Sequence, residues 1–116
     1  MASNARVLFE IDGMRARLFP FSAHMPISIL LIVAKENGAC DLRIVYRQVR
    51  AAIAVTRKQI ETLERDGFIT LHESETDRRC KTVVLTGKAM DALARYEAAI
   101  DQALTAWRRP GPASAA

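Results

Sequence analysis

What this chain lacks narrows it first. It holds no apolar run of the roughly eighteen residues that a membrane-spanning helix needs. Its first residues lack the basic, then apolar, then small-residue order of a secretory signal. Two cysteines, Cys40 and Cys80, make neither a CxxC pair nor a disulfide framework, which suits a reducing compartment and an expected cytoplasmic location. There is no nucleophile elbow, no phosphate-binding loop and no His-rich cluster, so neither enzymatic activity, cofactor nor bound metal is expected. No internal repeat is visible.

What is present suits one domain with one real core, since 116 residues are 50% hydrophobic. The net charge is +4, unevenly spread. Residues 1–50 carry seven Lys/Arg against four Asp/Glu, residues 51–86 six against six, and the last thirty four against three. Bulk charge therefore gives mild support for a nucleic-acid partner, and geometry has to carry such a role.

Two stretches are the most informative. In Arg57–His72, Ile60 and Leu63 are three apart, on one face of a helix. Gly67 fits the position just past a helix end, where φ is usually positive, and Phe68-Ile69 restarts an apolar run at strand length. Asp77–Thr86 then supplies a charged turn and a second strand. A short helix feeding a two-stranded hairpin is the construction of a winged helix, with the helix in the major groove and the hairpin as the wing.

Leu63-Glu-Arg-Asp-Gly-Phe-Ile69 resembles the Leu-Glu-x-x-Gly-hydrophobic-Ile signature that closes a winged-helix recognition helix. Asp77-Arg-Arg-Cys-Lys-Thr-Val-Val-Leu-Thr86 is similar to the wing of the MarR family of bacterial transcription regulators, in which an Asp-x-Arg triplet leads through a strand into Leu-Thr. The resemblance covers residues 27 to 107. It implies a homodimeric regulator that binds near-palindromic double-stranded DNA. It also implies that Arg79 enters the minor groove while Asp77 holds its guanidinium. Family members usually begin with a helix and end with two, which build the dimer and a ligand pocket. Only one C-terminal helix is legible here, which leaves a small-molecule effector without its usual site.

Around that centre, Ile27–Asn37 reads as a strongly apolar helix, with Pro26 near its first turn and Gly38 past its end. Asp41 is a good N-cap for a second helix over Leu42–Arg50, and Ile53–Asp66 is the third. Thr86 caps a fourth from Gly87 to Arg108. Its stripe of Ala89, Leu93, Tyr96, Ile100, Ala103 or Leu104, and Trp107, spaced by fours and threes, is the seam of a helix pair, with Leu93, Tyr96, Ile100, Leu104 and Trp107 the expected dimer contact.

The N-terminus carries a different signal. Arg6–Ile11 and Met14–Phe19 flank Asp12-Gly13, a dipeptide that favours a type I′ hairpin turn. In that register Val7, Phe9, Ile11, Met14, Ala16 and Leu18 share one face, and a β-hairpin is expected.

The expected fold is therefore α+β, mostly α: a winged helix-turn-helix with an N-terminal β-hairpin and a C-terminal dimerisation helix. Residues 1–25 form the hairpin and connector, 26–86 the DNA-binding domain, 87–109 the dimerisation helix and 110–116 a disordered tail. Candidate DNA contacts on the third helix are Ala54, Thr56, Arg57, Lys58 and Glu61. Thr56 with Gln59 could instead cap a shorter helix, because Arg50-Ala-Ala-Ile53 offers no side-chain cap. On the wing the candidates are Asp77, Arg78, Arg79 and Lys81, with Arg47 and Arg50 of the second helix serving phosphates. Cys80 is inert strand filling or, if exposed among these cations, a thiol of lowered pKa that responds to oxidation. A balanced charge over residues 51–86 keeps a second class open: a winged helix that meets a protein and reads no DNA sequence.

Overall fold

Apolar periodicity, caps and a few turn residues account for most of the elements. The computed structural model describes residues 2–20, 25–74 and 79–108. In chain order the elements are α1 (Ala2–Leu18), α2 (Met25–Lys35), β1 (Ala39–Asp41), α3 (Leu42–Gln48), α4 (Ile53–Arg65), β2 (Ile69–Glu73), β3 (Lys81–Leu85) and α5 (Gly87–Arg108). Among the described residues no helix is long and apolar enough to cross a membrane. The chain divides into two compact units, residues 21–91 and residues 1–20 with 92–116.

In the first unit α2 is the central core helix. Ile27, Ile29, Leu30 and Val33 are buried along it, and it packs against α3, α4 and β3. Its end is fixed by the Gly38 amide donating to the Val33 carbonyl at 3.0 Å, with Asn37 and Gly38 both at positive φ. Asp41 caps α3 as its position promises, accepting from the Arg43 amide at 2.8 Å. The sheet is antiparallel in the order β1-β3-β2, with Cys40 opposite Val83 and Val83 opposite Leu71. β1 has no pattern of its own in the sequence; it exists because β3 offers it a partner. Its three residues convert a two-stranded ribbon, marginal alone, into a three-stranded sheet.

The α4-to-wing junction is the most tightly specified corner. Gly67, at φ +80, turns the chain out of α4 while the Phe68 amide donates to the Leu63 carbonyl at 2.9 Å. The Thr86 hydroxyl donates to the Gly67 carbonyl at 2.6 Å and accepts from the Ala89 amide at 3.2 Å, so one side chain both caps α5 and ties its start to the end of α4. Lys88 adds a bond from its ammonium to the Asp66 carbonyl at 2.8 Å and lies 4.6 Å from the centroid of the Phe68 ring.

The second unit corrects the N-terminal expectation: residues 2–18 are one helix, not a hairpin. Val7, Ile11, Met14 and Leu18 are spaced four, three and four apart and are all half-buried, so the residues that line one face of a hairpin also line one face of a helix. Between two patterns that both fit, helix propensity decides. Ala, Arg, Leu, Glu and Met dominate the segment, Arg6 pairs with Glu10 at 3.6 Å and Arg15 with Asp12 at 3.1 Å. Basic Arg15 and Arg17 in the last turn suit the helix dipole. Gly13 costs about 1 kcal/mol in a helix interior, which the other sixteen residues of α1 outweigh. Phe19, buried just past α1, meets Tyr96 of α5 edge-on with ring centroids 5.7 Å apart. The tail expected to be disordered, 110–116, lies outside the described residues.

Candidate nucleic-acid interface

α4 has one buried and one outward face. Thr56, Ile60 and Leu63 line the buried side, while Ala54, Arg57, Lys58 and Glu61 are exposed. This corrects one candidate: Thr56 is fully buried and does not reach the surface. Its hydroxyl donates to the Ala52 carbonyl at 3.2 Å, satisfying itself within the first turn. It does not cap a shorter helix either, since α4 begins at Ile53 with Ala52 as an N-cap that makes no side-chain bond. The spacing Thr56, Ile60, Leu63 is the core line of α4 and could have been read as such.

The wing sits beside this face. A cleft of about 680 Å³ is bordered by Arg43 and Tyr46 of α3, Arg57 and Glu61 of α4, and Arg79 and Lys81 of the wing, over a floor that includes Ile60, Leu71 and Cys80. Three of the singled-out cations, Arg57, Arg79 and Lys81, therefore converge on one cleft. Arg47 and Arg50 are exposed but do not line it. Arg43 and Tyr46 were missed in the sequence; three apart on α3, they share a face, and that spacing was the available signal. Arg43 is held by Asp41, Nη2 to Oδ2 at 2.9 Å and Nε to Oδ1 at 3.1 Å, and its hydrogen bonds hold the Asp41 carboxyl below its ordinary pKa. Among the described residues Arg57, Lys58 and Lys81 form no ion pair, so their charge is open to an anionic partner. Glu61 and Glu64 face the same cleft and moderate its potential. Asp77 and Arg78 lie outside the described residues.

The cysteines do not meet the requirement of the redox expectation. Cys80 is buried just before β3, and Cys40 is buried in β1, where burial first and then Glu36 and Asp41 push its thiol pKa up. His72 stands exposed on β2 beside Thr70, 2.9 Å from its hydroxyl.

This element order, with a helix pair and a three-stranded sheet followed by a long helix, matches known structures over nearly its whole length. The fold is that of the MarR-type regulators. Sco3205 of Streptomyces coelicolor, a MarR family transcriptional regulator solved in complex with DNA, aligns with a TM-score of 0.68 at 14% identity, over 92% of this chain and 70% of its own. The YusO protein of Bacillus subtilis aligns with a TM-score of 0.73 at 12% identity, over 92% and 74%. AbfR, solved overoxidized and bound to DNA, aligns with a TM-score of 0.66 at 19% identity, over 87% and 74%. Neither a family model nor any curated protein matches the sequence.

On α5, Leu93, Tyr96, Ile100 and Leu104 are each half-buried within the single chain, and a groove of about 530 Å³ runs past Ala94, Ala98, Ile100 and Leu104 with Glu97 and Asp101 beside them. The Trp107 side chain lies outside what the structure describes. In the same unit Leu8 and Phe9 of α1 are 66% and 79% exposed, two large apolar side chains in sequence that the described residues leave uncovered.

Proposed function

We propose that this chain is a transcription regulator that binds double-stranded DNA sequence-specifically as a homodimer. In this mode α4 enters the major groove, and the wing follows the adjacent minor groove with Arg79. The observation that carries the proposal is the convergence of Arg57, Arg79 and Lys81 on one cleft, with Lys58 exposed beside Arg57. Cations on a helix and a hairpin, in one unit, suit two stretches of one phosphate backbone. Sco3205 and AbfR, which share the fold and were solved in complex with DNA, support DNA as the partner. The half-buried stripe of α5 and the exposed Leu8 and Phe9 of α1 support a second copy as the partner of that unit. A near-palindromic site follows from a two-fold dimer.

A second reading, a protein-binding winged helix, draws on Glu61 and Glu64 in the cleft and on the balanced charge of residues 51–86. Selection of random duplexes by the purified protein separates the two. A DNA regulator enriches a related set of two-half-site sequences, whereas a protein-binding module enriches none.

A further inference from the structure

Four consecutive residues at the front of α4, Ala52, Ile53, Ala54 and Val55, are all exposed, and none carries a hydrogen-bonding side chain. Ile53 is 62% and Val55 47% exposed. Behind them the outward residues turn polar: Arg57, Lys58, Glu61, Glu64, Arg65. The core does not need the front residues, because Thr56, Ile60 and Leu63 make its contact. Isolated exposed apolar residues need no explanation, but an unbroken apolar tip on an otherwise charged helix does.

The tip is continuous with the interface proposed above. Ile53 lines the cleft one turn ahead of Arg57, and Ala54 is one turn ahead of Lys58. Exposed Arg50 precedes the helix, and Arg79 and Lys81 flank it on the wing. Ile53 shares its cleft with Arg57, Arg79 and Lys81, with Glu61 and Glu64 further along α4, and cations beside an apolar tip suit an occupant whose outline is anionic and whose inner surface is partly apolar. Duplex DNA offers that combination. Phosphates border the major groove, and on its floor thymine alone among the four bases presents a methyl group. Apolar side chains pressed against any other base edge would leave donors or acceptors stripped of water and unpaired.

We propose that the first turn of α4 reads thymine 5-methyl groups, with Ile53 and Val55 as specificity-determining contacts and Ala54 short enough between them to allow close approach. The inference rests on the DNA-binding function proposed above. Each half-site then carries T·A pairs where the front of α4 lies, and hydrogen-bonded readout begins one turn later at Arg57 and Lys58.

The test uses the duplex enriched by the full chain, with its thymines replaced one at a time by deoxyuridine, which removes the methyl and leaves every hydrogen-bonding group. Wild type should lose about fourfold in affinity for each methyl read, the ratio given by about 0.8 kcal/mol for one buried group of that size. Ile53→Ala and Val55→Ala should each become insensitive to deoxyuridine at one thymine while retaining the wild-type melting temperature. A site that is enriched but tolerates deoxyuridine at every thymine overturns methyl readout and leaves DNA binding standing. Equal sensitivity in wild type and both variants overturns the assignment to Ile53 and Val55. No enriched duplex at all overturns the DNA-binding function itself, and methyl readout with it.

Discussion

Two glycines should respond to alanine with opposite signs. Gly13 lies in the middle of α1 and Gly67 at φ +80 just past α4. Among the described residues a Cβ built at either meets nothing within 4 Å, so the backbone sets the sign. At Gly13 an alanine gains the helix preference, raising stability by about 1 kcal/mol. At Gly67 it must hold the left-handed region, lowering stability by about 1–2 kcal/mol. For a chain of 116 residues, about 1 kcal/mol moves Tm by about 4 °C. Far-UV circular dichroism melts at one fixed protein concentration read both, the fixed concentration being needed because a dimer's Tm depends on it. Gly13→Ala should melt about 4 °C higher and Gly67→Ala about 4–8 °C lower than wild type. A Gly13→Ala variant that melts lower would refute the helix, because only a turn with positive φ at residue 13 penalises that change.

Arg57→Ala and Lys58→Ala should each cost about 1–3 kcal/mol of specific binding if the side chain reads a base, with relaxed preference at that base; unchanged binding in the double variant removes α4 from the reading role. Arg79→Ala should flatten the slope of log K against log salt by about 0.9, because one fewer cation neutralises phosphate charge. Its effect should be largest at A·T-rich flanks, and titrations across a salt series check both. Ile100→Asp places a charge on the half-buried stripe of α5 and should yield monomers by sedimentation, with weakened binding to half-sites centred about 10–10.5 base pairs apart. Asp41→Ala removes the cap of α3 and should cost about 1 kcal/mol at neutral pH. Because Arg43 depresses the Asp41 pKa, that contribution is complete above the ordinary aspartate value of about 3.9 and is lost as pH falls through the lower folded value. Urea unfolding of wild type and variant should therefore converge only in strong acid.

The winged unit was legible because its signals are local and mutually consistent. Ile60 and Leu63 mark the core face of α4, Gly67 ends it, Asp41 and Thr86 cap α3 and α5, and each does so in the structure. α1 was misread because Val7, Ile11, Met14 and Leu18 satisfy two periodicities at once, and the two-residue Asp12-Gly13 cue was weighed against a helix of seventeen residues. β1 was invisible because Ala39-Cys40-Asp41 becomes a strand only through β3, which follows it by some forty residues. In the candidate interface, the charged positions of α4 and the wing were recoverable from spacing. Thr56 lies on the same core spacing as Ile60 and Leu63, but its hydroxyl reads as polar until its own backbone is seen to satisfy it. Arg43 and Tyr46 border the cleft only because α3 turns that face toward the wing, a tertiary fact with a faint trace in the sequence.

Sequence-specific DNA binding is tested most directly by one equilibrium titration, in which the full chain is measured against its enriched duplex and against a shuffled duplex of equal composition at physiological salt. A regulator of the proposed kind binds the enriched duplex at least about a thousandfold more tightly than the shuffled one. Equal affinity for the two, or binding to neither, would contradict it.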